Sequence, residues 1–145
     1  MTASPAAANG SLARVLIVDD NRDAAKMLGI LLRRSGYEVD VLLNSTECLS
    51  RLETFRPNAL LLDIAMPEIS GCELAKQIRT RPEFERLVIF AISGYGDRTH
   101  VQWSLEAGCD RHLVKPVDLS ALLVGIAHEV EKRPGAQPVR APQLN

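Results

Sequence analysis

The sequence predicts an α/β domain built around a parallel sheet, and three observations carry that reading. Five short apolar runs alternate with five stretches of helical periodicity. The runs are mostly unbroken instead of alternating apolar with polar, as expected of strands covered on both faces. Most of the runs also pass straight into a polar or charged residue, which places chemistry at one end of the sheet.

The elements follow in order. Residues 15–18 (Val-Leu-Ile-Val) are too few for a helix and rich in branched side chains, so they read as a strand. Ala24, Met27, Leu28, Leu31 and Leu32 then recur on one helical face, and Ser35-Gly36 stops that helix. A second strand is expected over 39–43 and a second, shorter helix over 46–54. Residues 59–62 (Ala-Leu-Leu-Leu) form the third strand, followed by a helix over 71–80 that ends before Pro82. The fourth strand runs over 87–92, and its helix, 97–107, is ended by Gly108. Residues 112–114 form the last strand; Leu119, Leu122, Leu123, Ile126 and Val130 give the last helix, with Asp118 as its N-cap. Strands and helices in this alternation imply right-handed crossovers.

Both ends read as disordered tails. Residues 1–12 are mainly Ala, Ser, Pro, Asn and Gly, and residues 134–145 carry three prolines and no apolar period. Neither stretch offers enough apolar surface to offset the entropy of ordering it. The folded body is one domain over 13–133.

Composition removes several function classes. The chain of 145 residues has a formal net charge of −1, and its basic residues are scattered apart from Arg33-Arg34. No basic stripe points to nucleic acid or to an anionic membrane. The three cysteines, Cys48, Cys72 and Cys109, are far apart and form no Cys-x-x-Cys, so the expectation is buried or half-buried thiols in a reducing cytoplasm, not a disulfide framework or a zinc site. The N-terminal stretch lacks the basic start and apolar core of a signal peptide, and no apolar run approaches the roughly 20 residues of a membrane helix. A soluble, cytoplasmic protein is expected.

In an open parallel sheet, ligands bind beyond the carboxyl ends of the strands. There the first strand delivers Asp19-Asp20, the third Asp63, the fourth Ser93 and the fifth Lys115-Pro116. Three close carboxylates repel one another, and a hard divalent cation relieves this; magnesium takes oxygen ligands and commonly shares carboxylates with phosphate oxygens. Asp63 is then suited to act as an oxygen nucleophile toward phosphorus. Magnesium, Lys115 and the Ser93 hydroxyl supply charge and a hydrogen bond to the transferred group. Singly, each residue has a plain alternative: Asp19-Asp20 a loop and helix cap, Asp63 a turn residue, Ser93 turn chemistry before Gly94, Lys115 a solvated cation. Their joint occurrence at four strand ends favours the functional reading.

These residues sit in segments that resemble the receiver domains of two-component signalling, the chemotaxis-regulator-like family. They are Val-Leu-Ile-Val-Asp-Asp-Asn at 15–21, Leu-Leu-Leu-Asp-Ile-Ala-Met-Pro at 60–67 with Gly71, Ala-Ile-Ser-Gly at 91–94, and Ala-Gly-Cys-Asp at 107–110 followed by Leu-Val-Lys-Pro at 113–116. The resemblance spans nearly the whole body. It implies a flavodoxin-like (βα)5 fold with sheet order 2-1-3-4-5, and phosphorylation of Asp63 by a histidine kinase or histidine phosphotransfer protein. It implies Mg2+ held by Asp20, Asp63 and the Ala65 backbone carbonyl, with Asp19 helping through water. By the same resemblance Ser93 follows the phosphoryl group, Lys115 pairs with it, and the Lys115–Pro116 bond is cis. Such a domain catalyses its own phosphorylation and dephosphorylation but is a signalling phosphoacceptor, not primarily an enzyme.

Two positions depart from the family pattern. The aromatic switch position, three before the lysine, is His112, whose charge is pH-dependent near neutrality. Ala65, two past the acceptor, has no polar side chain. The loop Gly94-Tyr95-Gly96 is expected to rearrange as Ser93 is drawn to phosphate. Trp103, the single tryptophan, is either packed or a partner contact on the fourth helix.

The resulting expectation is a single-domain response regulator that signals to a downstream protein by contact through the fourth helix and fifth strand. The Ser-Gly-Tyr-Gly and His-Leu-Val-Lys-Pro wording also resembles receivers of hybrid histidine kinases, which is the alternative context. A magnesium-dependent aspartyl-phosphate phosphatase resembling the haloacid dehalogenases would want a second aspartate where Ala65 stands. A flavin or nucleotide domain would want a glycine-rich loop where Asp19-Asp20-Asn21-Arg22 stands.

Overall fold

The computed structural model describes residues 13–64, 70–94 and 98–132. The tails expected at 1–12 and 134–145, the Ala65 carbonyl and the Tyr95-Gly96 part of the loop after the fourth strand lie outside the described residues.

Strands β1 (Arg14–Val18), β2 (Glu38–Leu42), β3 (Ala59–Asp63), β4 (Val88–Ser93) and β5 (Arg111–Val114) alternate with helices α1 (Arg22–Arg34), α2 (Cys48–Phe55), α3 (Gly71–Arg79), α4 (Arg98–Glu106) and α5 (Leu119–Glu131). The strands form one parallel sheet in the order β2-β1-β3-β4-β5, the flavodoxin-like arrangement.

The pleat sorts side chains between two cores. Leu16, Val18, Leu60, Leu62, Ile89 and Ala91 face α2 and α3, where Cys48, Leu52, Leu74 and Ile78 complete one cluster. Their neighbours Val15, Ile17, Ala59, Leu61, Val88 and Phe90 face α1 and α5, where Ala25, Leu32, Leu122, Leu123 and Ile126 complete the other. That two-sided burial is why the central runs are uninterrupted. The edge strand β5 is only partly buried.

One expectation needs correction. Met27 is 58% exposed, and Ala24 faces solvent as well. The face of α1 that packs is Ala25, Gly29 and Leu32. Gly29 is the residue of that face that sits over β2, where an added Cβ would lie 3.4 Å from the Val41 side chain, in ordinary contact. The buried stripe is turned relative to the one drawn from the larger apolar residues. Between α3 and β4, Pro82–Phe84 form a 3-10 turn that buries Phe84. Trp103 is exposed. Cys48 and Cys109 are buried free thiols, and burial pushes both up to about 12. Among the described residues no helix is long and apolar enough to cross a membrane.

Candidate functional site

Each strand end fixes its side chain by local bonding. Past β1, the Asp19 N–H donates to the Leu42 carbonyl at 3.1 Å, and Asp19 Oδ1 accepts from the Asn21 N–H at 2.9 Å. Asn21 in turn caps α1, its side chain accepting from the Ala24 N–H at 3.0 Å. The buried Asp19 is thus held by backbone on both sides, while Asp20 faces solvent. Asp63 ends β3 and is buried. Carboxylate oxygens of Asp19, Asp20 and Asp63 lie within 4.8 Å of one another.

Gly71 makes that placement possible. At the start of α3, an added Cβ would lie 2.5 Å from Ile64 Cα and 2.7 Å from the Asp63 carbonyl oxygen. The helix start is pressed against the backbone that carries Asp63, and the Gly71 N–H donates to the Ile64 carbonyl at 3.2 Å.

Lys115 enters from the opposite side. Its Nζ lies 3.2 Å from Asp19 Oδ2 and 3.5 Å from Asp63 Oδ2. Its backbone N–H donates to the Ser93 carbonyl at 2.9 Å, and the Lys115–Pro116 peptide is cis. Partial burial pulls the ammonium pKa down, but the hydrogen bond to Asp19 and the charges of Asp63 and Asp19 outweigh it, so the net shift is upward. Lys115 is a fixed cation at neutral pH.

Ser93 is fully buried at the end of β4, with its Oγ 2.7 Å from His112 Nε2. The other ring nitrogen of His112 lies 2.8 Å from Oγ of Ser104 on α4. The structure therefore brings Asp19, Asp20, Asp63 and Lys115 into one cluster, with Ser93 tied to Lys115 through backbone and to His112 through its side chain. Sequence reasoning assigned no part to Ser104. It had no signal to use, since a lone serine in a helix is indistinguishable from a solvated one. Asn21 was readable as an N-cap three residues ahead of Ala24.

The donor set suits a hard divalent cation. Three carboxylates converge, their net negative charge exceeds what one ammonium neutralises, and exposed Asp20 leaves the cluster open to water. Asp19, Asp20 and Asp63 are the described side chains able to hold magnesium, which receiver domains typically bind through such a cluster.

Comparison with known proteins agrees with this layout. The family model described as response regulator receiver domain matches residues 15–127. The phosphate regulon transcriptional regulatory protein PhoB of Rhizobium meliloti (strain 1021) is 33% identical over 115 residues, which are 79% of this chain and 51% of that protein. Response regulator MprA of Mycobacterium avium (strain 104) is 36% identical over 111 residues, 76% of this chain and 47% of that one. The chain thus spans about half the length of these curated relatives. Among solved structures, a CheY-like response regulator receiver domain protein from Methanospirillum hungatei JF-1 aligns with a TM-score of 0.75 at 32% identity, covering 84% of this chain and 96% of that one. Chemotaxis protein CheY4 of Vibrio cholerae aligns with a TM-score of 0.75 at 26% identity, covering 81% and 98%.

Proposed function

The chain belongs to the response regulator receiver family, and from that premise we propose that it accepts a phosphoryl group on Asp63 from a phosphohistidine of a histidine kinase or phosphotransfer protein. The observation that carries the reading is the convergence of Asp19, Asp20, Asp63 and Lys115 at the carboxyl edge of the sheet.

In the proposed reaction an Asp63 carboxylate oxygen attacks phosphorus, a P–O bond forms, and the P–N bond to the donor imidazole breaks with its electron pair returning to nitrogen. Bound magnesium supplies positive charge against the carboxylates and the incoming phosphoryl oxygens. Lys115, paired with Asp19 and Asp63 beforehand, exchanges part of that pairing for a phosphoryl oxygen. Ser93 donates a hydrogen bond to another. The domain, over 13–133, is consumed stoichiometrically by each phosphoryl group and works as a cytoplasmic signalling module, not a turnover enzyme.

The signal leaves by protein–protein contact through α4 and β5, where Trp103, Leu105 and Val114 are exposed. In this reading the protein acts as a single-domain response regulator on a downstream protein target.

The test is intact mass after incubation with acetyl phosphate, with and without magnesium, for wild type and Asp63→Asn. One added phosphoryl group that requires both magnesium and Asp63 is expected. An adduct that persists in Asp63→Asn, or none on folded wild type with either acetyl phosphate or a phosphohistidine protein, sinks the reading.

A further inference from the structure

The sheet has a second edge, formed by the amino ends of its strands and opposite the carboxylate cluster. A cavity of about 210 Å3 opens there beside Arg14, the first residue of β1, and beside Asn58 and Leu87, which directly precede β3 and β4. Leu52, Phe84 and Leu87 give it a buried apolar floor. Its polar and charged lining is Arg14, Arg56, Arg86, Asn58 and Glu83.

The hydrogen bonds decide what that lining can bind. Arg14 Nε donates to the carbonyls of Phe55 at 2.8 Å and Arg56 at 3.1 Å, at the end of α2. That anchoring holds the guanidinium in place with one nitrogen and leaves its two terminal nitrogens over. Among the described residues no acceptor is hydrogen-bonded to those terminal nitrogens, or to the side chains of Arg56 and Arg86. Asn58 Oδ1 accepts from the Arg14 N–H at 2.8 Å, which fixes the amide orientation and leaves the NH2 group as a further donor. The carboxylate of Glu83 is already taken by Arg81, whose Nη2 lies 2.6 Å from its Oε2. Three arginines less one carboxylate leave a charge of +2 at this cavity, in a chain whose formal net charge is −1.

A plainer role for such arginines is to offset the negative carbonyl end of α2. Arg14 fills that role. Arg56 and Arg86 donate to no carbonyl among the described residues, so it does not account for them.

We propose that this cavity is an anion site for a compact phosphate dianion, free or as the terminal group of a small monoester. Planar guanidinium forks match phosphate oxygens two at a time, and an apolar floor strengthens each charge by lowering the local dielectric. Three guanidinium groups call for at least three acceptor oxygens, which a phosphate has and a single carboxylate lacks. The volume lies below the roughly 300 Å3 at which sites for drug-sized ligands begin, so a phosphate group fits and a large cofactor does not. The site uses none of Asp19, Asp20, Asp63 or Lys115 and does not rest on the phosphoacceptor reading.

The test is a titration of the isotope-labelled full chain, followed by amide spectra, with inorganic phosphate, glycerol phosphate and acetate. It is run without magnesium, at constant ionic strength and about pH 7.5, where a phosphate monoester carries close to two negative charges. Saturable shifts centred on the amides of Arg56, Asn58 and Leu87 are expected for the phosphates and not for acetate. Tighter binding of glycerol phosphate identifies the monoester as the ligand form, and tighter binding of inorganic phosphate the free ion. Arg56→Gln and Arg86→Gln, both at exposed positions, should each weaken binding by about two- to fivefold, the effect of a screened charge pair. Arg34→Gln removes the same charge from an exposed position on α1 and should leave binding unchanged. Asp63→Asn, in which loading of the phosphoryl mimic beryllofluoride with magnesium is lost, should bind phosphate with the wild-type constant. No saturation with either phosphate, equal binding of acetate, an Arg34→Gln effect as large as those of Arg56→Gln and Arg86→Gln, or loss of binding in Asp63→Asn overturns the proposal. The wild-type shift map needs no variant, so a variant that fails to fold does not shelter it.

Discussion

Replacing Gly71 by alanine tests how tightly the strand end that carries Asp63 is packed. The new Cβ would lie 2.5 Å from Ile64 Cα and 2.7 Å from the Asp63 carbonyl oxygen, where ordinary contact begins at 3.4 Å. It must retreat by about 0.9 Å and 0.7 Å (3.4 less each distance) from backbone atoms that cannot rotate away. Alanine gains about 0.5–1 kcal/mol over glycine in helix and unfolded-state entropy. Overpacking costs about 1–3 kcal/mol, and a clash with backbone belongs at the upper end. The net expectation is a destabilisation of about 1–2 kcal/mol, or a melting point lower by about 4–8 °C for a domain of this size. Because the atoms that must yield carry Asp63, beryllofluoride loading should weaken as well. Gly29→Ala is the matched control: its Cβ would meet Val41 at 3.4 Å and Val39 at 3.7 Å, so it should be neutral or stabilising by up to about 1 kcal/mol. Thermal and urea unfolding of both variants, with beryllofluoride titration, measure this. A Gly71→Ala protein as stable as wild type and loading equally well would refute the packing of α3 against the end of β3.

Two further outcomes follow from charge. Lys115→Ala removes the cation that competes with magnesium for Asp19 and Asp63, so magnesium affinity by calorimetry should rise, by about 1 kcal/mol or less for a partly exposed pair, while the conformational response to beryllofluoride is lost; weaker magnesium binding would refute the pairing. Burial raises the pKa of Glu129, but bonds from Arg111 at 2.7 Å and Lys132 at 3.3 Å outweigh it and the net shift is downward. A depressed carboxyl stabilises the fold above its unfolded pKa of about 4.3 and loses that contribution as pH falls through the lower folded value. The stability gap between wild type and Glu129→Gln should therefore shrink across that acid range, and a gap that stays constant in urea titrations would remove Glu129 from the account.

The central sheet was legible because burial on two faces leaves a strong signature. Val15, Leu16, Ile17 and Val18 are all buried, and no polar residue interrupts them. Asp19 and Asp63 were legible by position alone, since a parallel sheet delivers every strand end to one edge. The face of α1 was not. Apolar periodicity weights Met27 and Leu31 by size, whereas contact with β2 is made through Gly29, which registers as nothing in such a pattern. Phe84 was missed for a related reason: Pro82 marks the end of a helix but not the 3-10 turn that carries the ring back into the core. The contact of Ser104 with His112 was invisible because it depends on a partner eight residues away across a turn.

The two halves of the sheet are held together by different forces, and that difference bears on how a charge at Asp63 is felt elsewhere. Around β1 and β3 the contacts are apolar and fully buried, so displacing a residue such as Leu61 costs several kcal/mol and offers no alternative packing. Around β5 the strand is only partly buried, and polar bonds do the holding. Asp110 takes Arg79 at 2.9 Å and the Ile89 N–H at 2.8 Å, Arg111 takes Glu129 at 2.7 Å, and Ser93 meets His112 at 2.7 Å. A hydrogen bond exchanged for another changes free energy by only about 1 kcal/mol, so this side can hold two discrete arrangements. Lys115 and Ser93 share the 2.9 Å backbone bond between β5 and β4, so a phosphoryl group that drew on both side chains would pull the two strand ends together. Under the proposed function the acceptor would stand on the rigid side of the sheet and Lys115 and Ser93 on the exchangeable side, so a response would be expected at α4 and β5 while Asp19, Asp20 and Asp63 stay in place.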